Sequence, residues 1–334
     1  MTLASLSILS CERAPRSVLP SFYHWKTQCS VGGEEKRLLD TLGVSRLYVR
    51  FFDVDWNTRR EEAVPLASVR LNQAALRGRE VVPTVYITNR TMLNISEENL
   101  PILAQRITDR IYHLADSTAF GEIQLDCDWT PKSQEAFFQL TDYIRAFLPD
   151  SQVDISSTIR LHQVKYAETT GVPPVDRGML MFYNMGDVAD PDTHNSILDL
   201  ETASDYLDNL DEYPLPLDIA LPVFGWGVLI RNRKPIQLLN TLRRSQLSDE
   251  ARFDFVSPHQ VKVIKSTFLN GDYLYEGDVI RLETVSLEEL TSAVDILSTH
   301  LEQDTIRVSL YHLDTPTLEH YSHEELATVF QRFR

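Results

Sequence analysis

The sequence predicts a (β/α)8 TIM barrel carrying one small β-rich insertion. Eight strand-like runs alternate with runs of helical period across residues 20–334. No glycine-rich phosphate turn follows the first strand, as the alternative doubly wound open sheet would require. No linker or internal repeat divides the chain.

Phe22-Tyr23-His24-Trp25 reads as the first strand, and Glu34 to Leu42 as a helix ended by Gly43. Arg46 to Trp56 is a second strand, rich in β-branched and aromatic residues. Segment 62–80 is ambiguous. Val81 to Thr88 is the third strand, and Leu100 to Leu114 spaces its apolar residues as a helix does. Glu122 to Trp129 is the fourth strand. Pro131 to Phe147 follows as an amphipathic helix, with Thr130 placed to cap it ahead of a proline at the first position. Val153 to Leu161 and Gly178 to Asn184 are strands five and six, with a helix inside Ser196 to Leu210. Leu217 to Leu229 holds strand seven, and Ile236 to Leu247 is expected to be its helix. Turn signals at Asn270-Gly271 and Glu276-Gly277 mark the β-rich insertion, bounded at 251–285. Leu287 to Leu301 is a helix, Thr305 to His312 the eighth strand, and Glu324 to Phe333 the closing helix.

The chain has 334 residues, with 32 Lys and Arg against 48 Asp and Glu, a formal charge of −16. That balance argues against nucleic acid and against adhesion to an anionic lipid surface. Three Cys make no disulfide framework, and no CxxC, HxH or HExxH spacing points to a metal, so neither cofactor nor metal is expected. No apolar run approaches the roughly 20 residues that span a bilayer. Ile8-Leu9-Ser10-Cys11 closes a short apolar stretch and resembles a bacterial lipobox. On that reading Cys11 is acylated, residues 1–19 are signal and tether, and the only membrane contact is the lipid anchor. The expected location is the cell envelope, in the outer membrane or periplasm.

In barrels of this kind the site lies at the C-terminal ends of the strands. Those ends carry aromatic rings beside carboxylates, amides and imidazoles: His24 and Trp25, Asp53, Trp129, Arg160 and His162, Tyr183 and Asn184, Asp187, Trp226, and Tyr311. Rings that stack on sugar faces, with polar groups between them, suit a carbohydrate or glycan partner. All four Trp are expected at this rim, Trp56 included. The sharpest feature is the fourth strand. At a side-chain period of two, Gln124, Asp126 and Asp128 share one face and Leu125 and Cys127 the other. A polar stripe facing the barrel interior is costly unless it is hydrogen-bonded or functional. Two carboxylates roughly 7 Å apart also repel, which favours one protonated group. A carboxyl that keeps its proton near neutral pH is what a general acid requires.

Asp126-x-Asp128 after an apolar alternation resembles strand four of the chitinase-type glycoside hydrolases, with their Asp-x-x-Asp-x-Asp-x-Glu run. Met181-Phe182-Tyr183-Asn184 resembles that family's strand-six Met-x-Tyr-Asp. The resemblance sets Asp128 on the family's acid Glu and Asp126 on the adjacent Asp, and so implies Asp128 as general acid, braced by Asp126, with Tyr183 and Asn184 orienting substrate. Gln124 and Gly121 stand where the family has Asp, and Asn184 replaces Asp. The implied activity is hydrolysis of a glycosidic bond; the alternative is a non-catalytic glycan-binding surface lipoprotein. The runs FYHWKT, RLYVRFFDVDW, IQLDCDWT, TIRLHQ, GVPPVDRGMLMFYNMGD and LDIALP further resemble a group of TIM-barrel lipoproteins of Bacteroides-type bacteria, which implies no particular activity.

Overall fold

A computed structural model describes residues 16–190, 193–240, 242–301, 303–314 and 320–333. Cys11, the expected lipidation site, lies outside the described residues.

Seven parallel strands come first: β1 (Ser17–His24), β2 (Arg46–Asn57), β3 (Glu80–Ile87), β4 (Glu122–Asp126), β5 (Asp154–Arg160), β6 (Arg177–Met181) and β7 (Leu217–Pro222). An insertion then supplies β8 (Trp226–Arg231), β9 (Lys234–Asn240), β10 (Phe253–Ser257), β11 (Gln260–Val263) and β12 (Val279–Glu283). The chain returns as β13 (Thr305–Tyr311), which pairs with both β7 and β1. Because β1 also pairs with β2, the eight parallel strands close into the expected barrel.

The residues explain the elements. Strands β3, β5 and β7 are buried on both faces, so they read as near-continuous apolar or small runs. The longer outer helices are amphipathic: α1 (Gly33–Thr41), α2 (Leu100–Ala115), α3 (Gln134–Phe147), α4 (Leu287–His300) and α5 (His323–Arg332). Capping boxes start the last two, Ser286 with Glu289 and Ser322 with Glu325. Among the described residues no helix is long and apolar enough to cross a membrane.

A charged layer shuts the N-terminal end of the barrel. Glu122 receives Arg46 at 2.5 Å and Arg307 at 3.1 Å, and Asp218 receives Arg177 at 2.6 Å. Both carboxylates are buried, a loss offset only because each is paired.

Four local expectations change. Residues 16–19 belong to the barrel rather than to a tether: Ser17 to Leu19 pair with Thr305 to Arg307, and Arg16 donates to the carbonyls of Leu301 and Gln303. The expected helix over 236–247 is instead β9 and a 3-10 turn at Arg244–Leu247. Its apolar spacing fitted a helix, but Asn232 and Arg233 both take positive φ and close a two-residue hairpin from β8. The expected seventh strand thus divides, its second half opening the insertion. Finally, α3 starts at Gln134. Residues 131–133 form a turn in which the Thr130 carbonyl accepts from the Ser133 and Gln134 amides, both at 2.9 Å, and Thr130 caps nothing.

The insertion is an antiparallel sheet in the order β9-β8-β12-β11-β10. It carries its own core, with Leu229, Phe253, Val261, Val263 and Ile280 buried together.

Candidate functional site

The stripe on β4 faces the barrel interior, and each member is met by the next strand. Gln124 donates to Ser156 Oγ at 3.3 Å, Asp126 accepts from Thr158 Oγ1 at 2.7 Å, and Asp128 accepts from Arg160 Nε at 2.5 Å. Residues 156, 158 and 160 alternate on β5 as 124, 126 and 128 do on the facing chain, with Gln124 opposite Ser156. Two polar stripes therefore pair rung by rung, which offsets their desolvation. Tyr23 adds a further bond, its hydroxyl donating to Gln124 Oε1 at 2.7 Å.

Above this ladder a cavity of about 810 Å³ opens at the C-terminal end of the barrel. Its walls include Trp25, Arg50, Tyr86, Asp126, Asp128, Arg160, Tyr183, Asn184, Phe224, Trp226 and Tyr311. Tyr311 is the hub of the floor, with ring centres 5.2 to 5.7 Å from those of Tyr23, Trp25, Tyr183 and Phe224. Aromatic pairs at these distances hold one another in place. Trp226 stands in the wall because its Nε1 donates to Glu283 Oε2 at 2.8 Å. Gly225 permits the approach, since a Cβ there would lie 2.8 Å from the Glu283 carbonyl oxygen. Glu283 Oε2 also accepts from the Ser196 amide at 2.9 Å and from its hydroxyl, while Oε1 accepts from Arg281 Nε at 2.6 Å. Arg281 also donates to the Asp190 carbonyl at 2.8 Å. The insertion and the loop after β6 are thus fastened together beside the cavity.

Burial raises the Asp126 carboxyl. It is 4% exposed, and desolvation pushes its pKa up to about 6, with Arg160 opposing and Asp128 reinforcing the shift. Asp128 is far more open, its side chain 44% exposed, and both its oxygens accept from Arg160. Burial also raises Tyr86 to about 12, with help from Asp128.

Asp126 gives a pH signature. Its folded pKa lies above the ordinary value of about 3.9, so between the two the folded state binds more protons than the unfolded chain. Stability is therefore expected to fall as pH rises from about 4 to about 6, and then to level off. Asp126→Asn removes this component. Urea midpoints of both proteins across that range check it, and a difference independent of pH would overturn it.

Of the residues expected here, Asp126, Asp128, Trp25, Arg160, Tyr183, Asn184, Trp226 and Tyr311 line the cavity. Five do not. His24 is buried on the other face of β1, because Tyr23 and Trp25 take the inward parity. Trp129 is fully buried with outward-facing Cys127. It stacks on Phe137 at 5.2 Å and donates to the Thr170 carbonyl at 2.8 Å. Asp53 pairs with Arg50, and it is Arg50 that reaches the cavity, 5.6 Å from the Trp25 ring centre. His162 sits in the first turn of the short helix Leu161–Lys165, exposed outside the cavity. Asp187 is exposed and accepts from the Ala189 amide in its own loop at 2.8 Å. Trp56 is also absent from the walls, since β2 runs past the rim to pair with the antiparallel strand Glu62–Leu66.

Sequence reasoning missed Arg50, Thr158, and the insertion's Arg243, Arg244 and His259. Thr158 was open to the same period-two reading as β4. Among the described residues no group of three or more His, Cys, Asp or Glu is placed to hold a metal ion.

No protein-family model and no curated protein matches this chain in sequence. Solved structures do match in shape. A chitinase from Chromobacterium violaceum superposes with a TM-score of 0.57 at 13% identity, over 95% of this chain and 98% of that one. The spore cortex-lytic enzyme SleL of Bacillus cereus gives 0.57 at 14%, over 96% and 75%. A GH18 chitinase variant from Cycas revoluta in complex with (GlcNAc)4 gives 0.56 at 13%, over 94% and 99%. The fold is that of the GH18 chitinases. On this chitinase-type barrel the polar ladder occupies the interior of strands four and five, and the aromatic floor spans strands one, six and eight with the segment after seven.

Proposed function

We propose that this glycoside-hydrolase-like barrel binds a glycan in the cavity and does not cleave it. The observation that carries the reading is the Asp128–Arg160 pair. The resemblance to the chitinase run sets Asp128 where that family has its acid. An acid catalyst needs a carboxyl O–H aimed at the glycosidic oxygen, within about 3.2 Å. Here both oxygens of Asp128 are taken by guanidinium N–H groups. The aromatic floor and walls supply ring faces, and Asp126, Asn184 and Tyr86 supply polar groups between them, as sugar recognition requires. That solved chitinases of the same fold hold (GlcNAc)3 and (GlcNAc)4 supports a carbohydrate ligand.

The second reading is hydrolysis of a glycosidic bond with an aspartate as acid. What favours it is Asp126, which lines the cavity and keeps a proton up to about pH 6. Titration calorimetry with (GlcNAc)4, followed by assay of reducing ends over a glycan library, separates the two. The expected result is binding without release of reducing ends, in wild type and in Asp128→Asn alike. Release that disappears in Asp126→Asn or Asp128→Asn would make the protein a hydrolase. Absence of any glycan binding would end both readings.

A further inference from the structure

Between β2 and β3 the chain makes no full outer helix. It turns back as the strand Glu62–Leu66 and then adds only the four-residue helix Gln73–Leu76. The outer face of β2 is left beside a groove of about 380 Å³, between that returning strand and α2. The groove is apolar at its base: Phe52 and Val54 from β2, Leu103 and Ile107 from α2, and residues 63–65 of the returning strand. Its volume lies in the range of small-ligand pockets. The barrel wall separates it from the glycan cavity, since Arg50 lines the cavity while Phe52 and Val54 line the groove.

The polar groups of the groove gather on one side. Arg106, Arg110 and His113 follow one another along α2 at helical spacing. Arg106 is exposed and, among the described residues, has no hydrogen-bond or ion-pair partner. Arg110 donates from Nη2 to Ser68 Oγ, and its guanidinium lies 5.4 Å from the Phe52 ring centre. Its Nε is buried with no acceptor. Asp109 is the one carboxylate among the lining residues; it accepts from Gln105 Nε2 at 2.8 Å and pairs with neither arginine. Each guanidinium carries five N–H donors, so most of the ten are left without a protein acceptor. A neutral apolar guest would fill the groove and leave them so. A carboxylate at the rim gains charge-assisted bonds from both, while its tail covers the apolar base. A cationic head would meet two like charges.

We propose that this groove holds one free fatty acid, its chain along Phe52, Val54 and Ile107 and its carboxylate on Arg106 and Arg110. The site is independent of the glycan reading. Calorimetry on the full chain tests it with decanoate, hexanoate and decyltrimethylammonium, each below its micelle concentration. Decanoate is expected to bind once per chain and at least tenfold more tightly than hexanoate, since each buried methylene is worth roughly threefold. It is also expected to bind at least tenfold more tightly than decyltrimethylammonium, which has an equal tail and a cationic head. Arg106→Glu changes an exposed residue, and is expected to weaken decanoate about tenfold and erase its preference over the ammonium probe. Ala63→Phe fills the groove and is expected to erase the preference over hexanoate. Denaturant midpoints check that both variants fold, and Arg106→Glu alone decides if Ala63→Phe does not. No binding of decanoate, or equal binding of decanoate and hexanoate by wild type, would overturn the inference. Equal binding of the two probes with equal tails would overturn the role of the arginines. Decanoate binding unchanged in Arg106→Glu would place the ligand elsewhere, the glycan cavity included, and overturn the assignment to this groove.

Discussion

Arg281→Ala is expected to lower the unfolding free energy by about 3–5 kcal/mol, because it strands a buried carboxylate. The Arg281 side chain is 2% exposed and its partner Glu283 is fully buried, so water cannot replace the lost guanidinium. The damage reaches beyond one ion pair. Glu283 also receives Trp226 Nε1 and the Ser196 amide, and Arg281 itself holds the Asp190 carbonyl. The variant is therefore expected to loosen the loop after β6 and the Trp226 wall together. Chemical denaturation gives the energy, and hydrogen exchange at Ser196 and the Trp226 indole reports the loosening. Replacing the pair at once, as Arg281→Met with Glu283→Leu, is expected to recover part of the stability, since it removes the unpaired charge. A loss below about 1 kcal/mol in Arg281→Ala would show that the carboxylate is satisfied without its partner.

Trp129→Ala is expected to cost a similar amount, about 3–5 kcal/mol, by emptying a packed site. The indole is fully buried, stacks on Phe137, touches Phe138 and holds the Thr170 carbonyl. Yet it faces the helices, so the glycan titration of the folded fraction is expected to match that of wild type. Denaturant midpoints and calorimetry, performed below the variant's unfolding transition, measure the two effects separately. Affinity lost with little change in stability would return Trp129 to the cavity wall. Placing it there from sequence overlooked its parity with Cys127.

The period-two rule that found the β4 stripe also tells Trp129 from Asp128 and His24 from Trp25. Applied throughout, it separates inward from outward residues at those strand ends. Applied to β5, it predicts Ser156, Thr158 and Arg160 as the answering stripe. The barrel itself was legible because strands buried between two layers stay apolar, and helices packed on one side stay amphipathic. The start of the insertion was not legible. Its first hairpin turns on Asn232-Arg233, which lacks the glycine that marks most such turns. Arg243 and Arg244, which line the cavity, were hidden with it, inside a segment whose spacing imitates a helix. The role of Asp53 was lost for another reason: β2 shifts register between Arg50 and Phe52, so counting by twos across that point misplaces the rest of the strand.

The shut end of the barrel bears on how a polymer can be held. Below Asp126 stand Gln124 and the Tyr23 ring, and beneath them the salt-bridged collar around Glu122 and Asp218. The interior is a cul-de-sac: nothing that reaches Asp126 can thread onward, and whatever enters must leave by the same door. On the proposed glycan-binding reading, a long chain is then held at the opening either by one terminus seated in the pocket or across the mouth, and capping both termini tells the two apart: capture that survives capping is mid-span.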